Sequence, residues 1–156
     1  MPLQKLKEYL DDHDIKYVSV RHSPAYTAQE VAASGHVPGR ELAKTVIVRL
    51  DGELAMVAVP ASEKVDLDRL KQASGAAHAE IAAETEFQER FPGCELGAMP
   101  PFGNLFGMDV YVSETLTEDD EIAFSAGSHS ELLRLAYRDF ERLVGPTLIR
   151  NSESAA

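Results

Sequence analysis

The chain has 156 residues, 44% hydrophobic and 26% charged, with Gly 10 and Pro 8, a composition that fits one folded domain and excludes disordered, collagen-like and linker-type chains. Lys+Arg 15 against Asp+Glu 26 gives a formal net charge of −11, which excludes a broad electrostatic grip on a nucleic-acid backbone and leaves only local contact. The single cysteine, Cys94, excludes an internal disulfide and a multi-cysteine zinc site.

In chain order, Leu3, Leu6, Tyr9 and Leu10 recur at helical spacing and predict an amphipathic first helix over Pro2–Asp12. Ile15–Val20 alternates apolar and polar residues and reads as a strand that stops at Arg21-His22-Ser23-Pro24. Thr27-Ala28-Gln29-Glu30 has capping-box spacing and opens a short helix that Gly35 can close. Lys44–Leu50, Asp51-Gly52 and Leu54–Pro60 form a hairpin signal, because Asp-Gly supplies the positive φ angles of a tight primed turn.

Asp66 is placed to cap a helix over Leu67–Ser74 ahead of Gly75, and Ala83–Phe91 reads as another short helix ended by Pro92-Gly93. Cys94–Gly107 is dense in Gly and Pro and reads as a loop, followed by short strands at Asp109–Ser113 and Glu121–Ser125. From Ser128 to Val144, the capping-box pattern Ser128–Glu131 and the spacing of Leu132, Leu133, Leu135, Ala136, Phe140 and Leu143 favour one long helix on local grounds. Residues 1–150 thus read as a single α+β domain, a mixed twisted β-sheet surrounded by short helices, with Asn151–Ala156 as a flexible polar tail. No stretch reaches the roughly 18 apolar residues needed to span a bilayer. The first ten residues also lack the apolar core of a signal peptide. A soluble, cytoplasmic protein with no membrane or DNA partner is expected.

The phosphate-binding loop, the dinucleotide fingerprint, the HExxH zinc motif and the GxSxG elbow are all missing from the sequence. His13, His22, His36, His78 and His129 are not spaced as a local metal clamp, so neither a metal nor a cofactor is expected. Three other places can carry chemistry. Lys44 stands at the mouth of the apolar strand Thr45-Val46-Ile47-Val48, where a lysine is either a snorkelling strand-end residue or a point charge for phosphate, carboxylate or ester oxygen. The loop Gly97-Ala98-Met99-Pro100-Pro101-Phe102-Gly103 combines glycines that permit close backbone approach with prolines that fix its shape. Ser125-Ala126-Gly127-Ser128-His129 joins a glycine turn to two hydroxyls and an imidazole able to orient water or meet an amine or sugar hydroxyl. A helix N-cap accounts equally for Ser128. Cys94 reads as a small core hydrophobe rather than a thiol nucleophile.

In their order along the chain, these pieces resemble the YbaK/prolyl-tRNA synthetase-associated domain family: His22-Ser23-Pro24, Glu41-Leu42-Ala43-Lys44-Thr45 entering a strand, Gly97-x-x-x-Pro101-Phe102-Gly103, and Glu121-Ile122-Ala123-Phe124-Ser125-Ala126-Gly127. The resemblance runs from about Leu3 to Val144. It implies a free-standing hydrolase that removes a wrongly attached amino acid from tRNA, working at the acceptor end, with an aminoacyl-tRNA synthetase as a candidate partner. Carried over by residue, Lys44 matches the family's functional lysine, Gly97 and Pro101 its GxxxP loop, and Gly127 its late glycine turn. His129 resembles a histidine that some members place near the substrate. His22, Thr45, Met99, Pro100, Phe102, Gly103 and Ser125 are then expected around the substrate.

The resemblance also implies that Glu131–Ala136 is a strand paired with Glu121–Ser125, and that the last helix starts near Tyr137. A small pocket lined by Met99, Pro100 and Phe102 implies a small amino acid: alanine, serine, threonine or cysteine. Arg21 and Arg40 are candidates for a local basic patch with Lys44. Two rivals remain, a non-catalytic aminoacyl- or nucleotide-binding module of the same fold and a hydrolase of another small acyl ester.

Overall fold

The computed structural model describes residues 2–21, 42–91, 94–95, 98–118, 120–128 and 130–150. The first helix, α1 (Pro2–Asp12), buries Leu6 and Leu10 against the sheet. It ends where Asp14 takes a φ of 55° and the Ile15 amide turns back to the Leu10 carbonyl at 3.0 Å. Ile15, expected in the first strand, is therefore a buried residue of this turn, and β1 runs Tyr17–Arg21. The helix expected at Thr27–Gly35 lies outside the described residues.

The hairpin forms as expected from β2 (Leu42–Leu50) and β3 (Glu53–Pro60), with Asp51 and Gly52 at φ 48° and 90° in the turn. Helix α2 (Leu67–Ser74) begins at Asp66, whose carboxylate accepts the Arg69 amide at 3.1 Å, and ends at Gly75 in the left-handed region at φ 76°. Three short elements not anticipated from sequence follow: β4 (Ala79–Ile81), α4 (Glu114–Thr117) and β8 (Thr147–Ile149). The segment expected as one helix over Ala83–Phe91 is α3 (Glu84–Phe87) continued by a 3₁₀ turn, Gln88–Arg90. The Gly- and Pro-rich loop carries a 3₁₀ turn of its own at Gly103–Leu105.

Strands β5 (Asp109–Ser113), β6 (Glu121–Ser125) and β7 (Glu131–Ala136) precede α5 (Tyr137–Val144). Local propensity for a long helix from Ser128 is overridden by pairing, because β7 lies between β6 and β1 and bonds to both. Both Leu132 and Leu133 are fully buried, as expected for an interior strand covered on its two faces. Ser128 is not a helix cap. Its hydroxyl accepts the Ser130 amide at 3.3 Å inside the β6–β7 turn.

Among the described residues the result is a mixed sheet of eight strands in the order β1-β7-β6-β2-β3-β5-β8, with β4 paired to β2 off that path. Helices cover both faces. On one side Leu6, Leu10, Ile47, Met56, Phe102, Phe124, Leu133 and Phe140 form the main core. On the other, Val48, Val57, Val59 and Ile149 pack under Leu70 of α2. Alternation along β2 and β3 assigns their side chains: Ala43 and Ile47 face the main core, and Val48 faces α2.

Candidate active site

β2 is longer than any of its neighbours on one edge, and this opens the sheet. β3 pairs with β2 from Ala43 to Leu50, but on the opposite edge β6 reaches only Leu42 and Ala43, and β4 only Val48, Arg49 and Leu50. Lys44, Thr45 and Val46 lie between these two partners, with no ladder partner on that edge among the described residues. Beyond them the Ala82 amide closes on the Ile47 carbonyl at 3.0 Å. Among the described residues this leaves a notch at Lys44, Thr45 and Val46 in that edge of β2.

Lys44 stands at the mouth of this notch. One step past the Ala43–Phe124 pair, the parallel register brings Ser125 beside Lys44 on the same face of the sheet. Both side chains are half-buried. Burial is the largest influence on the Lys44 ammonium and pushes it below its ordinary value, while the Glu63 carboxylate pulls the other way and Lys64 adds to the depression. Neither Glu63 nor its anchor Ser113 stands out in the sequence. The only local sign is that Ser113 ends a strand two residues before an amide that its hydroxyl accepts, Thr115, at 3.4 Å.

Past Ser125 the chain turns at Gly127, whose φ of 100° belongs to glycine. Its backbone is bonded on both sides to the Gly/Pro loop: the Gly127 amide donates to the Ala98 carbonyl and the Glu95 amide donates to the Gly127 carbonyl, each at 2.8 Å. Two of the three segments singled out from the sequence are thus fastened together, next to the strand end that carries Ser125 beside Lys44.

Within the loop, Met99, Pro100, Pro101 and Phe102 are buried. Phe102 packs against Phe124 and edge-on to Phe140 at ring separations of 5.4 and 5.5 Å, so it anchors the loop from beneath. Gly103 has no room for a side chain, since a Cβ there would lie 2.6 Å from both the Met108 carbonyl oxygen and Val110 Cγ2. Thr45, next to Lys44, points to the opposite face, and its Oγ1 is buried with no hydrogen-bond partner among the described residues. His22, Gly97, His129 and Arg40 lie outside the described residues, as does the side chain of Arg21.

Cys94 is half-buried, and burial pushes its thiol up to about 11, which leaves no thiolate at neutral pH. Among the described residues no group of three or more His, Cys, Asp or Glu side chains is placed to hold a metal ion. No helix among them is long and apolar enough to cross a membrane.

The arrangement can therefore present an ammonium and a hydroxyl to a ligand with an anionic or carbonyl oxygen, beside a glycine turn whose own amide is taken up by Ala98. The family model for the aminoacyl-tRNA editing domain matches residues 22–143, a span containing every one of these groups. The chain belongs to that family. The editing domain is similar to the prolyl-tRNA editing protein ProX of Acetoanaerobium sticklandii, at 25% identity over 86% of this chain and 85% of the relative. A solved structure described as that of a proposed trans-editing enzyme for prolyl-tRNA synthetase superposes with a TM-score of 0.77 at 20% identity, covering 94% of each chain. A hypothetical protein superposes at 0.81 with 22% identity, over 92% of this chain and 96% of its own. The fold is that of the editing domains, and the protein is an aminoacyl-tRNA deacylase, a hydrolase whose substrate is mischarged tRNA.

Proposed function

We propose that this editing domain acts in trans on tRNA carrying a wrongly attached small amino acid of the alanine, serine, threonine or cysteine class. Lys44 and the Gly97–Gly103 loop position the ester. The observation that carries this reading is the placement of Lys44 beside Ser125 at the sheet notch, next to a glycine turn bonded to Ala98. The name of the ProX relative points to a proline tRNA as the carrier and to prolyl-tRNA synthetase as the source of the error. Residues 1–150 act as one cytoplasmic domain, with 151–156 as a tail.

In the reaction, water bonds to the ester carbonyl carbon and the carbonyl oxygen takes up negative charge. The bond to the terminal ribose oxygen then breaks, that oxygen gains a proton, and free amino acid leaves. The Lys44 ammonium neutralises the terminal phosphate or the ester region, while backbone N–H groups of the Gly97–Phe102 loop face the reacting carbonyl; the Gly127 amide, given to the Ala98 carbonyl, holds that loop in place instead. His129 and Ser125 orient the water or the substrate amine. Met99 and Pro100 limit the pocket, Pro101, Phe102 and Gly103 hold the loop, and His22 completes the surroundings; Thr45, expected there from the sequence, faces the opposite side of the sheet from Lys44. No protein nucleophile is required: the free ribose hydroxyl beside the ester can hydrogen-bond the attacking water and hand a proton to the leaving ribose oxygen, gaining its effect from proximity. A net charge of −11 suits an enzyme that grips only the acceptor end.

The test is release of amino acid from alanyl-, seryl-, threonyl- and cysteinyl-tRNA of the proline acceptor, with the native protein and with Lys44→Ala. Release that Lys44→Ala abolishes in a folded protein is expected. No release from any of them, with or without added synthetase, favours the non-catalytic binding module. Fast turnover of simple esters without tRNA favours a general ester hydrolase.

A further inference from the structure

We propose that Glu63 is the positioning residue for Lys44: anchored by the buried Ser113 hydroxyl, its carboxylate holds the ammonium at the mouth of the notch. This rests on the reading of Lys44 as the group that meets the substrate. The geometry begins with a row of residues running across the sheet. Lys44 stands opposite Val59, the register after the Ala58–Val112 pair brings Ser113 beside Val59, and Ser113 in turn stands beside Ile149. Directly paired residues share a face, so Lys44, Val59 and Ser113 all project to the α2 side. Two strand spacings separate Lys44 from Ser113, roughly 10 Å between backbones, which a lysine and a glutamate side chain together can bridge.

Glu63 comes into this gap from the turn that ends β3. Its amide donates to the Pro60 carbonyl at 3.0 Å, folding the chain back over the row it has just left. The Ser113 hydroxyl, with Ser113 0% exposed, donates to Glu63 Oε1 at 3.2 Å. A carboxylate has two oxygens and several lone pairs, so it accepts this bond and still faces an ammonium. Isolated surface ion pairs contribute little because two long side chains must be ordered to make them. Here one of the two is already fixed by a buried hydroxyl that also caps α4.

The charged groups that face Lys44 among the described residues are Glu63 and Lys64, both from the segment after β3; Ser113 from β5 and Ser125 from β6 are neutral. Burial and Lys64 both favour loss of the Lys44 proton, and Glu63 opposes them. With Glu63 neutralised, Lys44 sheds its proton at lower pH and no longer has a fixed direction.

The experiment is an NMR titration of Lys44 Nζ in the full chain without tRNA, run beside single-turnover deacylation. Native protein, Glu63→Gln and Ser113→Ala are compared. Glu63→Gln keeps an oxygen for Ser113 and removes only the charge. The expected result is a lower Lys44 pKa in Glu63→Gln and a smaller drop in Ser113→Ala, with melting temperatures near native. The alkaline limb of the deacylation rate should move to lower pH in step, and the single-turnover rate constant should fall by about tenfold to a hundredfold. A Lys44 titration identical in all three proteins overturns the proposal. If the titration moves but native protein releases no amino acid, Glu63 still positions Lys44 and the deacylase reading is what fails.

Discussion

At the scale of single residues, this protein separates groups that build the site from groups that would be better replaced. Gly103 belongs to the first kind, since a Cβ there would meet a carbonyl oxygen and a valine methyl at 2.6 Å. Gly103→Ala is expected to lose about 1–3 kcal/mol in urea unfolding, the usual cost of overpacking, and to impair deacylation through the displaced loop. Tyr137 is of the second kind. Its hydroxyl is buried without a hydrogen-bond partner among the described residues, and burial pushes it up to about 12. Tyr137→Phe should therefore stabilise the fold by about 1 kcal/mol, because an unsatisfied buried hydroxyl costs on that order. Lys44 carries a similar cost for a different return: replacing it with Met should abolish release of amino acid while leaving the melting temperature unchanged or raised. A clear drop in melting temperature would make Lys44 a structural residue. Lys44 and Ser125 were legible in the sequence because each is a polar residue bordering an apolar run, although β2 begins two residues before Lys44. Glu63 and Ser113 were not, because what joins them is a register across β2, β3 and β5 that no local pattern encodes.

At the scale of elements, turn chemistry proved the most readable signal. Asp-Gly gave the β2–β3 hairpin, and Asp66 with Gly75 gave both ends of α2. The β6–β7 pair shows the opposite: Leu132, Leu133 and Leu135 fit a helix by spacing, yet form a strand because partners on both sides satisfy their backbone. The short strands β4 and β8 escaped notice because three residues are too few to show a period. β4 is held by a latch, the Asp51 carboxylate accepting the Ala77 and His78 amides at 3.1 and 2.9 Å, which keeps this carboxyl below its usual range. Asp51→Ala should free this corner, visible as faster amide exchange at Ala79–Ile81 with little change across β3.

At the scale of the whole molecule, the pH dependence of stability is set from both ends. The folded chain holds the Asp51 and Glu86 carboxyls below their ordinary values through backbone amides, with Arg49 adding to the effect at Glu86. That stability is complete above about pH 4–5 and is lost as acid protonates the two groups through their lower folded values. On the alkaline side the sign reverses. Cys94 and Tyr137 keep their protons to about 11 and about 12, from ordinary values of 9.0 and 10.0, so the unfolded chain releases protons first. Melting temperature should fall as pH rises from about 9 towards 12, and the double change Cys94→Ala with Tyr137→Phe should flatten that fall. Lys44, pushed down by burial, works weakly in the opposite sense. The net charge of −11 also gives a binding prediction: tRNA affinity should depend shallowly on salt, since few phosphates are neutralised.

The place of β1 at the margin of the sheet has a consequence for how the chain is made. Its ladder partner is β7, and Tyr17 meets Leu135 more than a hundred residues later. During synthesis β1 cannot make this pairing until β7, more than a hundred residues further along, has left the ribosome. Val18, 57% exposed even in the finished fold, is then part of an open template for wrong pairing. Docking of β1 should be a late and slow event in refolding, because closing so long a loop precedes any reward from the contacts it makes.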